Sequence, residues 1–469
     1  MRRTLDFTLN GERVSLDGED PTRTVLSWLR EARALTGTKE GCAEGDCGAC
    51  TVVLAEHDRA GRLRHAPVNA CILCLGALDG RELITVEGLK HAGALHPVQQ
   101  AMAECHGSQC GFCTPGFVMA LYAHHKEGQP LERGALCDAI AGNLCRCTGY
   151  RPILEAGERA GAALEAQHGL GEDEARSRRL LALPGTPALL EAGARRFFVP
   201  ATAAELGTFL AEHPKATILA GGTDVGLWLT KQHRDLEAVA YTGRVSELKN
   251  LVETEKTVEI GAALTYAEAF PALAAIHPDI GELLRRLGAV QVRSSGTLAG
   301  NIANASPIGD SMPVLLALDA VLVLQQRESV RELKISAFYT GYRKTVLRPG
   351  EFIRAVRIPK LQPGARFAAY KLTKRFDQDI SAVCAAFHVD ASGKARFGFG
   401  GMAATPARAP SAEKAYEQGV DAACAALAVD FAPLSDHRAS AWYRLAAAQN
   451  LLRKFHARLG PRALLELEA

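Results

Sequence analysis

Eight cysteines fall into two patterns whose residue type and spacing could do metal chemistry. The first is Cys42, Cys47 and Cys50, with gaps of four and two residues, followed at a distance by Cys71. The second is Cys110 and Cys113, followed by Cys145 and Cys147. Each set supplies four thiolates, enough to hold one iron–sulfur cluster or one zinc ion.

Spacing separates the two chemistries for the first set. A four-then-two gap with a distant fourth cysteine is the plant-type [2Fe–2S] ferredoxin pattern. Structural zinc more often takes two short Cys-x-x-Cys pairs. Gly41, Gly45 and Gly48 interleave these ligands, where glycine permits positive φ and brings backbone N–H groups to the sulfurs. The second set, taken alone, fits zinc or a cluster; beside the first it reads as a second cluster. Two clusters on one chain point to an electron relay. Cys74, Cys105, Cys137, Cys384 and Cys424 read as small core residues.

Two glycine loops could meet a phosphate. Ile218, Leu219, Ala220, Gly221, Gly222, Thr223, Asp224 and Val225 follow a predicted strand and precede a helix. Ser294, Ser295, Gly296, Thr297, Leu298, Ala299, Gly300 and Asn301 form the second loop, with Asn304 and Asp310 shortly after. Backbone amides in such loops can approach a pyrophosphate. Either loop alone is an ordinary tight turn; two in one region are more informative. The G-x-G-x-x-G dinucleotide fingerprint is absent.

The elements that must position these residues follow from the pattern. Residues 5–10 alternate as a strand entering a hairpin, 21–35 are helical, and 51–54 and 84–86 are strands. From 97 to 166 the period is helical, with one helix beginning just after Cys113 and others at 136–144 and 153–164. Helix-start amides there could stabilise anionic sulfur. Residues 167–195 read as a linker. A helix at 202–212 and a strand at 217–220 open an α/β region. Beyond 351, strands are expected at 367–370, 382–389 and 395–399, then a helix at 439–459.

The chain has 469 residues, is 48% hydrophobic and 23% charged, and carries a net charge of +2. That is several globular domains' worth of sequence with no basic stripe, which argues against nucleic-acid binding. Arg176, Arg178 and Arg179 read as a solvated face. The amino terminus lacks a secretory apolar core, and no stretch reads as a membrane span. The expected location is cytoplasmic, where thiols stay reduced and serve as ligands.

Taken together, the segments 41–52, 69–71, 109–116 and 143–153 resemble the molybdenum hydroxylases, the xanthine dehydrogenase family. The loops at 218–225 and 297–301, with 306–310 and 342–345, extend the resemblance over nearly the whole chain. The resemblance implies an α+β multidomain protein: a β-grasp [2Fe–2S] domain over 1–88 and a helical-bundle [2Fe–2S] domain over 89–166. After the 167–195 linker it implies a non-Rossmann, vanillyl-alcohol-oxidase-like FAD domain over 196–350 and a C-terminal α/β domain over 351–469. It assigns the two cysteine sets to clusters and FAD contacts to 218–225 and 297–301. Leu287, Asp310, Ile353 and Lys371 match further flavin positions, and Gln109 matches a residue touching molybdopterin.

The sequence stops where the large molybdopterin-binding half would begin. The resemblance is therefore to the small iron–sulfur/FAD subunit of a bacterial enzyme, with no hydroxylation residue on this chain. It implies a large molybdenum-carrying partner in an (αβ)2 heterotetramer. Electrons from hypoxanthine or xanthine, oxidised to urate, would cross both clusters to FAD and reduce NAD+. Carbon monoxide dehydrogenases resemble the same family but place these parts on separate chains. The alternatives are a related hydroxylase acting on N-heterocycles or aldehydes, with O2 as a possible acceptor, and a stand-alone NADH-dependent reductase. A zinc-bearing binding protein with a degenerate flavin fold is a further alternative.

Overall fold

The computed structural model describes residues 1–90, 93–167 and 170–457. They form two units: Met1–Ser246 with Gly288–Gly296, and Glu247–Leu287 with the chain from Thr297 onward.

The first unit opens with a hairpin, Leu5–Leu9 and Glu12–Leu16, turned at Asn10 and Gly11 with φ of 51° and 89°. These strands lie in a five-stranded sheet with Glu82–Ile84, Thr51–His57 and Leu63–Asn69. Leu5–Leu9 pairs with Glu82–Ile84 in parallel; the other neighbours are antiparallel. This is the expected β-grasp sheet. The helix expected at 21–35 is confined to Val25–Ala32, and its last turn is π-wound. Thr24 caps its start, and left-handed Ala34 (φ 54°) stops it. The third expected strand ends at Ile84, because the chain turns into a 3-10 helix at Val86–Leu89.

Strand Thr51–His57 is buried on both faces. Val52 and Leu54 join the core of Phe7, Leu26 and Trp28. Val53 and Ala55 join the core of Phe117, Leu121 and Tyr122. Period-two alternation with both faces apolar is what a central strand requires. It sets the helical domain against the sheet. The helices are Pro97–Glu104, Thr114–Lys126, Arg133–Ile140 and Arg151–Gln167. The third ends before the expected 144, leaving Asn143 and Cys145 in a loop.

Residues 167–195 hold more structure than a linker. Leu170–Leu181 is a helix, and Ala188–Ala192 and Arg195–Val199 are paired strands. The solvated reading fails for Arg176, which is 3% exposed and lies 3.2 Å from Glu82, itself 1% exposed. Arg179 is half-buried on the same carboxylate; Arg178 is exposed. Arg195–Val199 and Thr217–Leu219 each pair in parallel with Ala238–Tyr241. Phe197, Leu219 and Tyr241 share a core with Cys71, Leu75 and Leu78, so this sheet and the β-grasp sheet are packed as one body.

In the second unit, five antiparallel strands run in the order Leu251–Glu253, Thr257–Gly261, Phe352–Pro359, Val321–Gln326 and Ser329–Lys334. The strand after residue 350 is thus central to this sheet. A second antiparallel sheet comprises Arg366–Leu372, Val383–Val389, Ala395–Gly400 and Ala407–Arg408. Helices Pro410–Ala415, Val420–Asp430 and Ala441–His456 follow it. The expected extension of the last helix to 459 lies outside the described residues. No helix among the described residues is long and apolar enough to cross a membrane.

Candidate electron-transfer site

The first cysteine set converges. The sulfurs of Cys50 and Cys71 are 3.2 Å apart, and the Cys42 thiol bonds to those of Cys47 and Cys71. The amides of Asp46 and Cys47 both donate to Cys42 Sγ at 3.4 Å. Gly45 and Gly48 take positive φ (79° and 69°), as does Ala43 (53°). Gly41 serves another purpose: a Cβ there would sit 2.8 Å from Cys47 Sγ. Asn69 locks the loop by donating to the Gly45 carbonyl at 3.0 Å.

The electrostatics fit a cationic centre. Hydrogen bonds from the Cys47 and Cys71 thiols, then backbone amides, lower the Cys42 thiol far below its usual range. Cys47 is raised by its bond to Cys42 and then by burial; Cys71 is raised by its bonds to Cys42 and Cys50 and then by burial. Thiols this close cannot all ionise unless a cation joins them, and positive iron would supply that charge. Among the described residues no three acidic, histidine or cysteine side chains close on a single ion.

The second set gathers at the surface. Cys113 bonds to Cys145, and Cys147 to Cys110. Cys113 caps the Thr114–Lys126 helix without a side-chain bond, and its thiol is pushed up to about 12 by burial and then by Cys145. The expected helix-start stabilisation is therefore not what lowers a thiol here. Cys145 is lowered, against burial, by the Thr148 hydroxyl at 3.1 Å and amide at 3.5 Å. Tyr150 fixes this turn: its hydroxyl accepts from the Cys145 amide at 2.9 Å. Cys110, Cys147, Gln109, Phe112 and Leu144 are exposed, while Cys145 is buried. Of the other cysteines, Cys74, Cys384 and Cys424 are buried as expected, Cys105 is half-buried and Cys137 is exposed.

Hydrogen bonds to backbone carbonyls join the two loops. Leu144 N donates to Cys47 O at 3.0 Å. Asn143 Nδ2 donates to Gly48 O at 2.9 Å. The 218–225 loop also reaches the first set within this unit. Gly222 takes φ of 74°, and a Cβ on Gly221 would lie 1.9 Å from the Ser295 carbonyl. The Val225–Thr230 helix then touches the cysteine loop: Thr230 Oγ1 donates to Ala43 O at 2.8 Å and Lys231 Nζ to Cys42 O at 2.5 Å. A Cβ on Gly226 would strike Ile72 O at 2.3 Å.

The remaining positions that the resemblance assigns to flavin contact lie in the second unit and are linked there. Thr297 Oγ1 caps the Leu298–Ala303 helix, accepting from Gly300 N at 2.9 Å. Asn301 Oδ1 accepts from Ser311 Oγ at 2.8 Å. Next to Ser311, Asp310 is ion-paired to Lys371, both side chains almost fully buried, and accepts from Ser381 Oγ at 2.5 Å. Leu298, Ala299 and Ile353 share one core, against which Leu287 packs.

Sequence reasoning missed Thr51, Asn69, Asn143, Thr148, Tyr150, Thr230, Lys231 and Gln291. The one signal for Thr51, Asn69, Asn143, Thr148 and Tyr150 was their place in the cysteine-bearing segments 41–52, 69–71 and 143–153. Thr230, Lys231 and Gln291 come from segments far away in the chain and carried none.

Comparison with known proteins decides the family. Residues 7–75 match the 2Fe-2S iron-sulfur cluster binding domain, and 85–158 the [2Fe-2S] binding domain. Residues 192–361 match the FAD binding domain in molybdopterin dehydrogenase, and 368–459 the CO dehydrogenase flavoprotein C-terminal domain. The chain belongs to the molybdenum hydroxylase family. It is the 2Fe–2S/FAD electron-transfer module of such an oxidoreductase. A xanthine dehydrogenase of Emericella nidulans is 35% identical over 87% of this chain and 35% of its own length. A xanthine dehydrogenase/oxidase of Rattus norvegicus is 33% identical over 82% of this chain and 33% of its own. The chain thus spans about a third of these curated relatives. Among solved structures, CO dehydrogenase from Oligotropha carboxidovorans is 28% identical, covers 56% of this chain and 97% of its own, and has a TM-score of 0.52. Quinoline 2-oxidoreductase from Pseudomonas putida 86, at 23% identity, 58% and 99% coverage and a TM-score of 0.52, shares the fold.

Proposed function

We infer that this molybdenum hydroxylase module carries electrons out of xanthine dehydrogenation: hypoxanthine or xanthine is oxidised on a large molybdopterin-bearing partner, and NAD+ is reduced here. The xanthine dehydrogenase relatives at 33–35% identity favour this substrate over the CO and quinoline chemistry of the structural neighbours. The observation that carries the relay is the continuity of the first unit: the Leu144–Cys47 bond ties the two cysteine loops, and Lys231 and Thr230 tie the Cys42 loop to the helix after Gly221 and Gly222.

Cys42, Cys47, Cys50 and Cys71 would hold one cluster, and Cys110, Cys113, Cys145 and Cys147 the other. FAD would be held by 218–225, 297–301, Leu287, Asp310, Ile353 and Lys371. Clusters supply single-electron exchange, and a flavin pairs electrons into a hydride equivalent. The chain's own groups tune that chemistry. Thr148 and the Asp46 and Cys47 amides donate to sulfur, which favours the electron-rich state, while burial of Cys50 and Cys71 opposes added charge. The exposed rim of Cys110, Cys147 and Gln109 is the face for the partner in an (αβ)2 assembly. The test is co-expression with a large molybdopterin-bearing subunit and assay of xanthine-dependent NADH formation. Turnover with carbon monoxide, quinoline or an aldehyde, and none with xanthine, would reassign the substrate.

A further inference from the structure

Gln291 sits where three functional segments meet. It is 1% exposed. Its Nε2 donates to Asn143 Oδ1 at 2.9 Å and to Thr51 Oγ1 at 3.2 Å. Asn143 stands two residues before Cys145, and Thr51 follows Cys50. Both partners in turn converge on the carbonyl of Gly48, which lies beside Cys47. That oxygen accepts from Asn143 Nδ2 at 2.9 Å, Thr51 Oγ1 at 2.6 Å and Thr51 N at 3.1 Å. A carbonyl only accepts, so it dictates the rest. Asn143 must turn its NH2 toward Gly48, its oxygen then faces Gln291, and Gln291 must answer with its own NH2.

The cost of this arrangement is visible at the other end of the side chain. Gln291 Oε1 is buried with no hydrogen-bond partner. It presses on the backbone at Gly142, where a Cβ would lie 2.0 Å away. Buried acceptors are seldom left unmet, and each exception asks for a reason. Packing alone is no reason, since an apolar side chain of the same size would fill this place. The segment carrying Gln291 also reaches the glycine turn, through Ser295 against Gly221. Gln291, Gly221, Thr223, Ser295, Asn69 and Ile72 line one small crevice beside Cys71.

We propose that Gln291 is a positioning residue that sets the spacing between the two cluster loops, acting through Asn143 on the Cys145 side and through Thr51 and Gly48 on the Cys47–Cys50 side. It touches no ligand sulfur. The inference rests on the reading of both cysteine sets as [2Fe–2S] ligands.

The test uses the full-length chain and its Gln291→Leu variant, which keeps the volume and removes both hydrogen bonds. Dithionite as reductant places one electron on each cluster, and low-temperature electron paramagnetic resonance reads the magnetic splitting that each reduced cluster imposes on the other. In the variant, iron content and the separate signals of both clusters are retained while the splitting is diminished or lost. A splitting identical to that of the parent overturns the role given to Gln291. Should Gln291→Leu fail to fold, Thr51→Val removes the shared hydroxyl with little change of shape, and the same two outcomes apply. A parent protein that shows no pair of cluster signals overturns the ligand assignment itself, and the inference with it.

Discussion

The amide of Leu144 donates to the carbonyl of Cys47 at 3.0 Å, so a residue adjoining one cysteine of the second set is bonded to a cysteine of the first. The two bonded residues stand 97 positions apart in the sequence, and the fold joins them by one backbone hydrogen bond. A substitution that empties one set should therefore leave the other in place but cut the route between them.

Cys113→Ser is expected to lower iron from about four to about two atoms per chain. Substrate-driven reduction through the partner should stop. NADH oxidation by an artificial acceptor should continue. Iron analysis and the two assays check this, and sustained substrate turnover sinks the relay order.

Lys371→Met should release flavin. It leaves Asp310, 8% exposed, with Ser381 as its remaining side-chain donor, and a buried unpaired carboxylate is costly. The flavin-to-iron ratio after gel filtration should fall while cluster absorption stays. An unchanged ratio removes Lys371 and Asp310 from the flavin site.

Arg176→Ala should destabilise the first unit by up to about 3–5 kcal/mol, because it leaves a buried Glu82 with only the half-buried Arg179 as its ion-pair partner. Arg176→Met combined with Glu82→Gln should recover much of the loss. Denaturant titration followed by the cluster absorption reads both. A loss below about 1 kcal/mol would return Arg176 to the solvated class.

Acid should weaken the helical domain before the carboxylates titrate. Burial lowers His96 and His125 from 6.5 to about 4. In the unfolded chain both take up protons near pH 6.5, so between that value and about 4 the unfolded state binds more protons. Stability is then full above pH 6.5 and falls as pH drops. His96 Nδ1 accepts from Val98 N at 3.2 Å, so protonation there also breaks a helix cap. His96→Asn keeps a capping acceptor that does not titrate, and should flatten the slope of unfolding midpoint against pH. A slope equal to the parent's excludes His96 as its source.

What was legible in the sequence was what local chemistry dictates. Cysteine spacing, the left-handed turns at Gly45 and Gly48, the hairpin at Asn10 and Gly11 and the helix after Cys113 depend on residues close together in the chain. The same local logic misjudged Gly41, which is needed for close approach to Cys47 and takes no positive φ among the described residues. It misread Arg176 as solvated, because the carboxylate that buries it, Glu82, belongs to a strand far earlier in the sequence. The strand Phe352–Pro359 likewise joins the sheet of Val321–Gln326, a pairing that periodicity cannot assign. The tertiary structure alone decided that Gln291, Asn143 and Thr51 share one buried knot. A polar side chain's meaning lies in its partners, and these three lie 92 to 240 residues apart in the chain.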